Sequence, residues 1–224
     1  MILIVYEDKM SASEFKLSTL EMLFRSSLED PDISLKDYVD GYEQVYKFLS
    51  LLGTLFGWVG ADVQVKVDNI RKHMVGEKSQ HYTTVRAMIE YENESGLILW
   101  KKTSDLSGSR NLLILHRALQ YVVAFLAKLE NIDEEEKCTN ISREAYESTL
   151  MKYHPWVVQK AAKVAMNLLP TKKALVLKIA PSGEQEEINK AYAEFPNAVS
   201  SMERAYDVID KLIEQYNLQS LKVQ

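Results

Sequence analysis

The chain has 224 residues, 46% of them hydrophobic and 26% charged, with 27 Lys+Arg against 32 Asp+Glu for a net charge of -5. That balance suits a folded domain with a sizeable core and excludes a disordered chain. The acidic charge offers no global field for nucleic acid. One cysteine, Cys138, leaves no internal disulfide framework and no cysteine-rich zinc site.

The N-terminal Met1 to Tyr6 run is apolar but lacks a basic flank and is followed by Glu7 and Asp8, so it is not read as a signal peptide. A first helix is predicted over 12–29, starting at Ser11 or Ser13, with Leu17, Leu20, Leu23 and Phe24 on one face. Asp30-Pro31-Asp32 ends it, and Ser34 caps a second helix that runs to about Gly57. A third helix is predicted over 61–75 and a fourth over 80–94. Ser107-Gly108-Ser109 closes a linker that begins at Trp100 and signals a helix over 110–129. Asp133 to Glu136 reads as a solvated turn. Residues 142–168 form a helical stretch interrupted or started by Pro155 and ended by Pro170. A last helix covers 184–215, broken or bent near Pro196. No uninterrupted apolar run reaches the length that spans a bilayer. The expectation is an all-α fold of about eight helices with no internal repeat, in one domain over 1–224, in the cytosol.

Three polar clusters interrupt apolar helix faces. Asp62 and Lys66 are four apart on one face, with Asn69 continuing it. They can be an ordinary exposed ion pair, but Phe56, Trp58, Val59, Val63, Val67 and Ile70 make the surroundings unusually apolar. Arg110 stands at a helix start, where the dipole disfavours a cation; it can pair with a carboxylate such as Asp105, or with a bound anion that the first-turn amides also hold. His154, in Tyr-His-Pro-Trp, is either a packed core histidine or a ligand contact. His73, His81 and His116 show no metal-ligand spacing, so no metal or cofactor is expected. There is no nucleophile elbow, phosphate loop or dinucleotide fingerprint. An Asp62–His154 dyad lacks any marked nucleophile, so an enzyme is not expected.

Taken in series, Ala61-Asp62-Val63-Gln64-Val65-Lys66, then Ser109-Arg110-Asn111-Leu112-Leu113-Ile114-Leu115-His116-Arg117-Ala118-Leu119, then Tyr153-His154-Pro155-Trp156-Val157-Val158 resemble the glycolipid transfer protein superfamily. The resemblance implies a two-layer helical sandwich that sheathes sphingolipid chains and carries them between membranes. It implies that Asp62 accepts from the ceramide amide N–H, that His154 donates to the amide carbonyl, and that Trp156 sits at the membrane-facing rim. Glycolipid-selective members of that superfamily carry asparagine four after the aspartate, lysine seven after it, and a tryptophan that stacks on the sugar. This chain has Lys66 at plus four, Asn69 at plus seven, and Ile114 at the stacking position. Ceramide-1-phosphate-selective members carry the lysine at plus four and two arginines four apart; here Arg110 is kept and Ile114 replaces the second.

Two cations suit a phosphomonoester, each charge-assisted bond contributing roughly 1.5–3 kcal/mol. A sugar without an aromatic platform has hydrogen bonds alone, so phosphate is favoured. Each exposed methylene costs roughly 0.8 kcal/mol, so a chain of about fifteen costs on the order of 12 kcal/mol in water and needs an apolar sleeve. Candidate lining residues are Phe48, Leu52, Leu55, Val59, Leu113, Phe125, Val158, Ala162 and Ala165. The expected partners are a sphingolipid and, transiently, a membrane surface, with the protein a monomer. The alternatives are a glycosphingolipid carrier and a sphingolipid sensor or scaffold that binds without transfer.

Overall fold

The structure is a computed structural model that describes residues 15–29, 32–99 and 106–221, apart from the side chains of Glu29, Leu55 and Trp58. The Met1–Tyr6 run, the Ser11 or Ser13 helix start and Asp105 lie outside the described residues. Among the described residues the chain forms nine α-helices and one two-stranded hairpin. The helices are α1 (Leu17–Ser27), α2 (Leu35–Leu51), α3 (Thr54–Met74), α4 (Val85–Glu94), α5 (Gly108–Leu129), α6 (Thr139–Ser148), α7 (Trp156–Met166), α8 (Lys172–Ile179) and α9 (Gln185–Gln215). The hairpin pairs β1 (Leu28–Glu29) antiparallel with β2 (Asp32–Ile33) between α1 and α2.

Capping chemistry sets most boundaries. Ser34, Thr84, Ser107 and Thr171 each accept a backbone N–H three residues on, opening α2, α4, α5 and α8. Four expectations are adjusted here. The helix expected to run from Ser34 to about Gly57 divides at Gly53, whose φ of 115° is open to glycine and ends the α2 run. The helix expected from residue 80 starts at Val85, because a 3-10 turn at Ser79–His81 precedes the Thr84 cap. Helix α8 falls where only a connection was expected. Helix α9 continues through Pro196, which removes one backbone N–H without ending it.

Helices α3, α2, α1 and α9 lie side by side, each packed on the next. Helix α5 crosses this layer, packing on α3 and α9, and is flanked in its own layer by α4 and α6. The result is the two-layer all-α sandwich. Between the layers Phe24, Tyr38 and Tyr42 meet edge to face. The Tyr42 hydroxyl donates to the Leu115 carbonyl at 2.7 Å and ties α2 to α5. Gly41 permits the close approach of α1, since a Cβ there would lie 3.0 Å from the Phe24 ring.

By length and composition alone helix α5 would be long and apolar enough to cross a membrane, with a mean hydropathy of 1.5 over its most apolar stretch, although Arg110, Asn111, His116 and Arg117 interrupt its apolar run. More than half of that stretch is buried against other helices, so its apolarity serves the core. His116 anchors it to α9: Nε2 lies 3.0 Å from Asp210 Oδ1, and the ring stacks on Tyr206 with centroids 4.1 Å apart. Burial pushes the His116 pKa down to about 4, against the upward pull of Asp210, whose exposed carboxylate is well screened. The unfolded chain therefore binds a proton near pH 6.5 that the folded chain refuses until about pH 4. Stability is full above pH 6.5 and falls toward pH 4, by on the order of 2–3 kcal/mol from this group. Thermal melts across that range will show the decline, and His116→Phe, which keeps the stack on Tyr206, will flatten it.

Candidate functional site

Helix α3 presents Asp62, Lys66 and Asn69 along one face. Lys66 Nζ donates to Asp62 Oδ1 at 2.6 Å, so the i,i+4 ion pair exists. Its two members are unequally placed: the Lys66 side chain is 16% exposed and that of Asp62 64%. Asn69 Nδ2 points at Asn111 Oδ1 on α5 at 3.5 Å, and Lys72 Nζ donates to Asn69 Oδ1 at 3.1 Å. Asn111 is fully buried and donates to the Leu106 and Ser107 carbonyls, both at 3.0 Å.

Arg110 is buried, 2% exposed, and its Nε donates to the Ile98 carbonyl at 2.9 Å. The first-turn amides of α5 do not await an external anion, as the sequence had suggested. Glu92 of α4, itself fully buried, takes them: Oε1 accepts from Gly108 N at 2.6 Å and Oε2 from Ser109 N at 2.8 Å. Tyr82 adds a third bond from its hydroxyl at 3.1 Å. A carboxylate at a helix N-terminus complements the dipole, and here the chain supplies it from within. Sequence reasoning missed Glu92. Its signal was present, since Val85, Met88, Ile89 and Glu92 share one face of α4 and place an acid on an apolar stripe. Gly108 is equally constrained, because a Cβ would sit 2.4 Å from Met88 Sδ.

His154 follows a 3-10 turn at Met151–Tyr153, and Pro155 stands at the N-cap of α7 after it. Its Nδ1 lies 2.8 Å from the buried Tyr146 hydroxyl, and burial holds the imidazole pKa below its usual range. Gln159 donates from Nε2 to the carbonyls of His154 at 2.9 Å and Met151 at 3.1 Å, fastening the turn to α7.

Asp62 and His154 meet at one cavity of about 440 Å³, bounded by α3, α5, α6 and α7. Phe56, Val59, Leu150, Val158, Ala162 and Ala165 are among its walls. Tyr121 and Tyr146 also reach it, but the Tyr121 hydroxyl is engaged with Ser142 Oγ at 2.8 Å and that of Tyr146 with His154. Of the candidate lining residues, Val59, Val158, Ala162 and Ala165 border the cavity. Phe48, Leu52, Leu113 and Phe125 do not; they fill the interlayer core, Phe48 lying 6.2 Å from Phe125 between ring centroids. Helical periodicity marks a buried face without saying whether it meets side chains or a hollow. The side chain of Leu55 lies outside the described residues. Ile114 is half-buried on α5, and Trp156 and Val157 stand out at 68% and 69% exposure.

A helical sandwich with an apolar hollow bordered by one carboxylate and one imidazole suits a binding protein for an apolar molecule with a polar end. Residues 33–181 match the family described as Glycolipid transfer protein (GLTP). The chain is 35% identical to the ceramide-1-phosphate transfer protein of Xenopus laevis over 95% of this chain and 100% of that one. The crystal structure of the mouse ceramide-1-phosphate transfer protein in its apo form superposes with a TM-score of 0.84 at 30% identity, covering 93% of this chain and 100% of that chain. The human ceramide-1-phosphate transfer protein in complex with 12:0 ceramide-1-phosphate gives 0.82 at 29% identity, over 93% and 100%. This chain belongs to the glycolipid transfer protein family. It is a lipid transfer protein by family, not an enzyme.

Because Glu92 is desolvated and bonded to three donors, neutralising it leaves the α5 start under-compensated. Glu92→Gln is expected to lower stability by about 2–4 kcal/mol, read as a drop in the urea midpoint at unchanged m-value.

Proposed function

We propose that this protein transfers sphingolipids between membranes, with ceramide-1-phosphate as its preferred cargo. The observation that carries the reading is the polar complement of the cavity. In an otherwise apolar hollow stand one acceptor, Asp62, and one group able to donate, His154. A secondary amide bearing two long chains presents one N–H and one C=O, and a ceramide matches that complement. The cavity volume of about 440 Å³ lies within the ~300–1,000 Å³ usual for ligand sites.

In this reading the Tyr146 hydroxyl, kept protonated by burial, donates to His154 Nδ1. The neutral imidazole then carries its proton on Nε2, where it donates to the amide carbonyl. Asp62 accepts from the amide N–H. Lys66 and Arg110 hold the phosphate, with Asn69 beside them on α3; Lys66 is the more exposed of the two cations. Ile114 adds no polar contact to the head group. Val59, Val158, Ala162 and Ala165 sheathe a chain. Residues 1–224 act as one domain, a monomer in the cytosol that touches membranes transiently through Trp156, whose neighbour Lys160 lies 5.4 Å from the indole centre and favours an anionic surface.

Vesicle-to-vesicle transfer of ceramide-1-phosphate against galactosylceramide tests the assignment. Lys66→Ala and Arg110→Gln are expected to reduce ceramide-1-phosphate transfer at least about tenfold with helicity retained. Unchanged transfer in both sinks the phosphate reading, and faster galactosylceramide transfer by the native chain moves the protein to the glycosphingolipid carriers. Tight binding without transfer points to a sensor. Ile114→Arg, which restores a pair of arginines four apart, is expected to raise ceramide-1-phosphate affinity about tenfold in the same vesicles.

A further inference from the structure

Two consecutive residues of α5 reach out to other elements. His116 stacks on Tyr206 of α9, and Arg117 turns to the segment that carries His154. The Arg117 guanidinium carbon lies 3.9 Å from the centre of the Tyr153 ring, close enough for a flat cation over an aromatic face. Burial strips water from this half-buried arginine and lowers its pKa, and Tyr153, rather than a carboxylate, pulls the other way. Lys152 also approaches the ring, at 5.0 Å, but it belongs to the same turn. Tyr153 ends the Met151–Tyr153 turn and immediately precedes His154, so what holds one constrains the other. The Tyr153 N–H donates to the Leu150 carbonyl at 3.0 Å, and the His154 N–H to that of Met151 at 3.1 Å. His154 itself is extended, with φ -101° and ψ 136°, the conformation that a following proline favours. Gln159 of α7 holds its carbonyl and Tyr146 of α6 its Nδ1. Through the Tyr153 ring the turn bears directly on α5, on which α3, the helix of Asp62, also packs.

We infer that Arg117 is a positioning residue for amide recognition: by clamping the Tyr153 ring it fixes where His154 stands relative to Asp62, without touching the ligand itself. The inference rests on the function proposed above, in which Asp62 and His154 read the two sides of one amide. An amide is planar and rigid, with its N–H and C=O fixed relative to each other, so its acceptor and donor must keep one separation. Binding groups meet such a demand when packed neighbours hold them to within about 0.5 Å. Asp62 and His154 stand on different elements, and α5 is the helix that both of those elements contact. A guanidinium suits the clamp better than a lysine ammonium, because it lies flat on the ring and is more weakly hydrated.

The test is a double-mutant cycle on equilibrium uptake of ceramide-1-phosphate from phosphatidylcholine vesicles, with the native chain, Arg117→Met, His154→Ala and the two combined. Methionine keeps the apolar stem and removes the flat cation. Arg117→Met is expected to weaken uptake about tenfold, a usual size for coupling through residues in contact. His154→Ala weakens it at least as much, and the double variant no further than His154→Ala alone, because the clamp has nothing left to position. Tyr153→Phe keeps the ring face and holds uptake near the native level. Tyr153→Leu takes the place of Arg117→Met in the cycle should that variant fail to fold. If the separate losses multiply in the double variant, Arg117 acts on its own, as a phosphate contact or a support of the fold, and the positioning role is wrong while the proposed function stands. Native uptake by Arg117→Met overturns it as well. If His154→Ala leaves uptake unchanged, the amide reading of the cavity fails and the clamp with it.

Discussion

The bond set around Glu92 is the constraint on which the rest of the architecture leans. Helix α5 touches both layers, and its first turn is held by a fully buried carboxylate from α4 that accepts from two backbone amides and one tyrosine. A carboxylate removed from water is destabilising unless every oxygen is bonded and a positive partner stands close, and the α5 N-terminus supplies both. The same contact fixes where Asn111 meets Asn69 of α3 and where Arg110 meets the Ile98 carbonyl. It also favours glycine at 108, since a Cβ there would force the Met88 side chain to shift. The seat of the central helix and the polar side of the site are thus one feature.

On the other side of the cavity the bonding changes character. Only Met166 of α7 is fully buried, and the helix is strapped to α6 by polar contacts: Lys163 to Glu147, Arg143 to Asn167, and Thr139 to the Met166 carbonyl. Its inner residues Val158, Ala162 and Ala165 face the hollow, while Val157, Val164 and Leu168 remain exposed. A wall with so few buried apolar contacts belongs to the less stable end of a structure, whereas the aromatic cluster under α5 belongs to the most stable. The cavity therefore lies between a firm floor and a weakly packed side.

Much of this was legible in residue order. Helical periodicity and Ser/Thr caps gave the class of fold, and the Asp62–Lys66 spacing alone placed those two side chains together. Gly53 was harder, because glycine inside an apolar run is often tolerated in a helix, and only its positive φ shows that it divides α2 from α3. Arg110 was read as a cation awaiting an anion. The Ile98 carbonyl that accepts from it was invisible, being twelve positions away on another element.

By itself, then, the sequence determined the all-helical class, the pairing of Asp62 with Lys66, and the residue types able to serve an amide and a phosphate, because these depend on contacts within a few positions along the chain. Tertiary structure alone decided which apolar residues enclose a hollow and which fill the core, that Asp62 and His154 border the same space, and that the α5 N-terminus is occupied by Glu92. Those outcomes depend on how separate helices meet, and a periodic pattern records which face is buried but never what lies against it.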